Sequence, residues 1–147
     1  ARAVELGWTV VGRELVADDS EQIAELLKSA ADQDRANVIL TTGGTGVAAR
    51  DVTPEATRAA IEREIPGLGE LMRAEGRKHT YLAPLSRAVA GTRKRALIVN
   101  LPGSPKGAVE SVDAIAPLAP HIVDLLEGRT EHGTGQRNST SKENVQE

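Results

Sequence analysis

Three stretches of the 147-residue chain carry side chains and backbone suited to chemistry. They are Asp18-Asp19, the run from Thr42 through Gly43, Gly44, Thr45 and Gly46 to Arg50-Asp51, and the run Asn100-Leu101-Pro102-Gly103-Ser104-Pro105-Lys106. Glycines clustered as at 43–46 let backbone approach a ligand. Their N–H groups, with a helix N-terminus after them, form an anion-binding concavity. Asp51 beside that concavity suits Mg²⁺, which is held by one or two carboxylates together with substrate phosphates. Asp19 suffices as a helix cap, which leaves Asp18 free to join Asp51 around one ion, or to be no more than a neighbour of the cap. Lys106 sits at a helix start, where a cation opposes the dipole, and so hints at an anionic ligand. The chemistry indicated is phosphate handling with a divalent cation. A plain glycine-rich turn between strand and helix competes with it, and spacing alone does not separate the two.

Several other chemistries are excluded or weakened. Gly44 to Ala49 matches the GxGxxA dinucleotide fingerprint, but that motif opens its helix at once and needs an acid at the end of the next strand. Here Thr53-Pro54 delays the helix start, and Glu62 and Glu64 fall on the helix itself. A phosphate loop of the Walker type fails for want of Gly-Lys-Ser/Thr. His79, His121 and His132 have no metal-ligand spacing, and Ser86 and Ser104 have no evident base partner. With no cysteine there is no disulfide or thiolate site. A net charge of −3 and only one Trp and one Tyr argue against a nucleic-acid grip or base stacking. No apolar run approaches the roughly 20 residues of a membrane span, and the expected location is the cytoplasm.

The elements that must position these residues alternate. Trp8–Val16 reads as a strand, with a helix after the Asp19–Gln22 capping box in which Ile23, Leu26, Leu27 and Ala30 share one face. Asn37–Thr42 is the best candidate for a central strand. Thr53 as cap and Pro54 at the first turn start the next helix, and Leu68, Leu71 and Met72 mark another that ends near Gly76. Residues 84–90 lean helical. Ala96–Asn100 is a third strand, followed by helices through Val112 and Ile115 and through Ile122 and Leu126. An order of strand, helix, strand, helices, strand, helices predicts an α/β fold with a mostly parallel sheet, its ligand loops at the carboxyl ends of the strands. Ala1–Gly7 reads as a helix tail stopped by Gly7, so further sequence is expected before Ala1. Residues 1–128 form the expected domain, and the polar residues 129–147 read as a disordered tail.

The blocks 41-TTGGTGVAARDVTPEAT-57, 66-PGLGELMR-73, 85-LSRAVAGTR-93 and 99-VNLPGSPKG-107 occur in order. Together they resemble the molybdopterin-binding MogA/MoaB family, to which the gephyrin G domain also belongs. The resemblance implies a three-layer α-β-α domain, usually a homotrimer. It implies adenylylation of molybdopterin with Mg-ATP and release of pyrophosphate, in molybdenum cofactor biosynthesis, with hand-off to a molybdate-insertion protein. Carried over by motif, Asp18 and Asp51 are the expected catalytic and Mg²⁺-binding acids. Thr42, Gly43, Gly44, Thr45, Gly46, Ser86, Asn100, Pro102, Gly103, Ser104 and Lys106 are the expected pterin and phosphate contacts. The family's first strand and a Ser-Asp-Arg-like loop are expected before Ala1. Two alternatives stay open: a non-catalytic molybdopterin-binding or scaffold member, and, more weakly, a domain of competence-damage-type nucleotide hydrolases.

Overall fold

The computed structural model describes residues 1–129. The polar segment read over 129–147 therefore lies, but for Arg129, outside the described residues. Helix α1 (Arg2–Glu5) ends as its sequence suggests. Gly7 takes φ +82, its N–H donates to the Val4 carbonyl at 2.9 Å, and the Trp8 N–H donates to the Ala3 carbonyl at 2.9 Å, the paired bonds of a Schellman stop. Helix α2 (Ser20–Asp32) begins on the predicted cap, with the Asp19 carboxylate accepting from the Gln22 N–H at 2.9 Å.

A sheet of strands β1 (Val38–Thr42), β2 (Arg63–Glu64), β3 (Ala90–Arg93) and β4 (Ala96–Leu101) lies at the centre, in the order β1-β4-β3-β2. Strand β4 is buried along its whole length, and its alternation builds both cores. Leu97, Val99 and Leu101 face helices α4 (Pro66–Arg77), α5 (Pro105–Ile115) and α6 (Ala119–Leu126), where they pack with Leu68, Met72, Val112, Ile115 and Ala119. Ile98 faces α2 and α3 (Thr53–Ala60), with Ile23, Ala24, Leu27, Ala56 and Ala60. The expected three α-β-α layers follow from this two-sided burial.

Six local expectations are corrected. The strand expected at the centre, β1, stands at the end of the sheet order among the described residues, and β4 takes the inner place. Glu62 and Glu64, read as helical, lie past the end of α3, with Glu64 in β2. The sheet is mixed rather than mostly parallel: β1 pairs with β4 in parallel, but β3 with β4 and β2 with β3 are antiparallel. The antiparallel part was hidden because its hairpin turn, Lys94-Arg95, lacks an Asn-Gly signal. Lys94 instead takes φ +52, and its N–H donates to the Glu62 carboxylate at 2.7 Å. Residues 84–90, read as helical, form the end of a 3-10 turn (Ala83–Leu85) and an extended approach to β3. Helical propensity in Leu-Ser-Arg-Ala gives way to tertiary pairing with β4. Trp8–Val16 is not a strand: it meets no ladder partner among the described residues, and Val10, Val11 and Leu15 are exposed. Propensity without a partner strand does not make a sheet. Finally, Val52 rather than Thr53 occupies the cap position of α3.

The two apolar environments predict different sensitivities. Leu97→Ala should cost about 2–5 kcal/mol in urea unfolding, whereas Leu15→Ala in the exposed segment should stay within about 0.5 kcal/mol.

Candidate functional site

The parallel pair β1/β4 ends in two adjacent loops, and the glycines are what allow them to touch. Past Thr42, Gly43 takes φ +88 and its N–H donates to the Leu101 carbonyl at 3.1 Å. A Cβ built on Gly103 would stand 3.3 Å from the Gly43 Cα, tighter than side chains ordinarily pack. Gly44 takes φ +68, and a Cβ there would meet the Thr53 hydroxyl at 2.3 Å. The loop closes on itself where the Thr53 N–H donates to the Gly44 carbonyl at 3.2 Å. Inside it, the Asp51 N–H donates to the Ala48 carbonyl at 2.9 Å and the Ala48 N–H to the Asp51 carboxylate at 3.0 Å. The tip, Val47 to Arg50, is exposed. The second loop ends on Ser104, whose hydroxyl caps α5 by accepting from the Gly107 N–H at 3.1 Å.

Beneath both loops sits Asn100, fully buried. Its carbonyl oxygen accepts from the Val89 N–H at 3.0 Å. Its amide donates to the Thr41 hydroxyl at 3.0 Å and the Thr57 hydroxyl at 2.8 Å. Expected as a ligand contact, Asn100 is corrected to a strut: its amide is engaged with protein, and no surface of it faces solvent. The remaining residues expected as ligand contacts lie in the two loops or at their ends, except Ser86, which lies in the segment leading into β3. Thr42, Gly103, Ser104 and Lys106 are exposed, while Gly43, Gly44, Gly46, Ser86 and Pro102 are half-buried and Thr45 is buried. Asp51 is half-buried and Asp18 exposed. The two acids flank one apolar cluster, which includes Val16, two positions before Asp18, and Val52, adjacent to Asp51. Among the described residues no group of three or more His, Cys, Asp or Glu is gathered as a metal site. Asp18 and Asp51 would serve Mg²⁺ only in its sparse mode, with one or two carboxylates and the rest from substrate.

Arg87 is the residue that motif reading missed. Its own N–H donates to the Thr45 carbonyl at 2.8 Å. Its Nε donates to the Gly46 carbonyl at 2.7 Å, its Nη2 to the Asp51 carbonyl at 2.7 Å, and its Nη1 pairs with Glu55. The hydrogen bond from Arg87 chiefly holds the Glu55 carboxyl below its ordinary range, so this contact weakens only as pH falls into that lowered range. The LSR of the third sequence block was the available signal, but partners some 41 and 36 positions away leave no local pattern. A cavity of about 400 Å³ opens on the other side of this segment, between α4 and residues 86–90. The glycine loops do not line it, but Ser86 and Arg87 do, so it adjoins the site.

Gly44→Ala should destabilise by about 1–3 kcal/mol, because it forces a side chain into a left-handed conformation and against Thr53. Gly12→Ala, with open space around it, should change stability by no more than about 0.5 kcal/mol. Equal values for the two in urea unfolding would contradict this loop geometry.

Comparison with known proteins agrees with this architecture. A family model described as a probable molybdopterin binding domain matches residues 1–121. The chain is 45% identical over 115 residues to a molybdopterin adenylyltransferase of Helicobacter pylori strain J99, covering 78% of this chain and 65% of that protein. It is 40% identical over 126 residues to the molybdopterin adenylyltransferase of Escherichia coli K12, again with 78% and 65% covered. The chain thus spans just under two thirds of the length of these relatives. Among solved structures, the molybdopterin biosynthesis enzyme MoaB of Thermus thermophilus superposes with a TM-score of 0.79 at 50% identity, covering 86% of this chain and 82% of that one. By motif, fold and sequence alike, the chain belongs to the molybdopterin-binding domain family of molybdenum cofactor biosynthesis.

Proposed function

We propose that the chain is the molybdopterin-binding part of a molybdopterin adenylyltransferase. The observation that carries this reading is the contact of the two glycine loops, Gly43 against Gly103, at the carboxyl ends of a parallel strand pair. A glycine backbone there, with the N-termini of α3 and α5 behind it, suits close approach of the phosphate of a pterin. The names borne by the relatives supply the reaction. A terminal phosphate oxygen of molybdopterin attacks the α-phosphorus of ATP, a new P–O bond forms, and the bond to the β-phosphate breaks. Pyrophosphate leaves with the bonding electrons.

In this reading the residues' task is to hold two anions that repel each other in line. The backbone cradle at Gly43–Gly46 and Gly103 binds the pterin phosphate, with Ser86, Pro102, Ser104 and Lys106 at its rim. Asp18 and Asp51 hold Mg²⁺, whose positive charge offsets that of the phosphates. No covalent intermediate on the protein is required, in keeping with a chain that has no cysteine. Among the described residues no helix is long and apolar enough to cross a membrane. We place the full protein in the cytoplasm, as a homotrimer that passes adenylyl-molybdopterin to a molybdate-inserting protein. Residues 1–128 form its domain.

In the full chain, Asp51→Asn should bind molybdopterin as the parent does but lower pyrophosphate release by about 10²–10³-fold, the usual consequence of losing one electrostatic contact to a transition state. Unimpaired release would remove Asp51 from its role. Binding by the parent chain without pyrophosphate release would favour the scaffold reading instead.

A further inference from the structure

We infer that Arg87 is a positioning residue: its guanidinium locks both limbs of the glycine loop and so fixes where Asp51 stands. The assignment rests on the adenylyltransferase reading for its kinetic consequence, but on geometry alone for its structural one.

The loop needs an external hold. Its tip is exposed, with Val47 at 72%, and the bonds within it are local ones, from Ala48 to Asp51 and from Gly44 to Thr53. Glycine at 43, 44 and 46 leaves the backbone with more freedom than any other residue would. Arg87 supplies the hold from outside. Its own N–H and its Nε grip the entering limb at Thr45 and Gly46, at 2.8 and 2.7 Å. Its Nη2 grips the leaving limb at the carbonyl of Asp51 itself, at 2.7 Å, and its Nη1 reaches Glu55 in the first turn of α3.

One rigid, planar fork therefore spans the loop, a geometry open to arginine and closed to lysine, whose ammonium is a single point. The fork is itself anchored. Two positions on, the Val89 N–H donates to Asn100, and the Asn100 N–H donates back to the Val89 carbonyl at 2.9 Å. Arg73 holds the carbonyls of Ser86 and Ala88 at 3.3 and 3.2 Å. The segment carrying Arg87 is thus fixed on both flanks, and passes that order to a loop that lacks its own. Nε and both Nη atoms each hold a protein acceptor, so the role assigned to Arg87 is to set the carboxylate that works beside the substrate phosphates.

The test is Arg87→Lys and Arg87→Met in the full chain, read two ways. Amide exchange by NMR at Ala48 and Asp51 should speed up about tenfold in both variants, since these two bonds sit within the limbs that Arg87 joins. Turnover, measured as pyrophosphate release from molybdopterin and Mg-ATP, should fall about 100-fold in kcat, as for a catalytic group displaced by about 1 Å, with KM for molybdopterin changed less than threefold. Lysine should fail to rescue. Arg87→Lys keeps the charge and the aliphatic stem, so it carries the test if the methionine variant does not fold. Unchanged exchange at Ala48 and Asp51 would overturn the inference, and so would wild-type kcat in Arg87→Lys. A raised KM with kcat intact would assign Arg87 to substrate binding instead and equally overturn it. If the parent chain releases no pyrophosphate, the functional reading fails, and the exchange measurement still decides whether Arg87 orders the loop.

Discussion

One buried amide sets the site's geometry. Asn100 interrupts the run of apolar side chains on β4 with a polar group that has no access to solvent, and such a group is tolerated only when its donors and acceptors are satisfied. Here they are, by three different elements: the backbone leading into β3, the end of β1, and α3. Removing it would leave the Val89 N–H without its partner, at about 1–3 kcal/mol for an unsatisfied buried donor. More than stability is involved. Each element that Asn100 holds leads into the candidate site: β1 into the glycine loop, α3 from its far side, and residue 89 toward Arg87.

The site is therefore a conformationally permissive loop on a rigid frame. Glycines at 43 and 103 permit the close approach of two backbones, and a backbone that close can present N–H groups to a phosphate. The same glycines would let the loop wander. Order enters from the frame, through the Gly43 bond to Leu101, the Ser104 cap of α5 and the arginine fork. Adenylyl transfer between two polyanions asks for little covalent help and much positioning, and a loop held from both limbs answers that demand.

Much of this was legible in the residues. The helix of Ile23 and Leu27, the strand 38–42, β4 and the stop at Gly7 follow from periodicity and capping, because their causes are local, although on α2 Ala24 and Ala31 are buried where Leu26 and Ala30 were expected. The two glycine loops were legible as a pair through their motifs. What escaped depends on distant partners. Trp8–Val16 has the composition of a strand but no ladder partner among the described residues. The β3–β4 hairpin turns on a lysine where a sequence reader looks for Asn-Gly. Asn100 looked like a ligand contact because polar residues beside glycine loops often are, and only its burial shows it to be internal. Arg87 carried no signal at all beyond its place in the Leu-Ser-Arg block, since its partners lie far off in sequence.

The claim that Asn100 orders the loops, rather than merely adding stability, has a direct test in hydrogen exchange of Asn100→Ala against a control with the same loss of global stability. Leu27→Ala, a buried apolar truncation on α2 that removes no hydrogen bond, is a suitable control. The account predicts that the amides of Gly43, Ala48, Asp51 and Gly107 exchange faster in Asn100→Ala than in Leu27→Ala, while those of α6 exchange alike in the two. Equal loop exchange in both variants would contradict it.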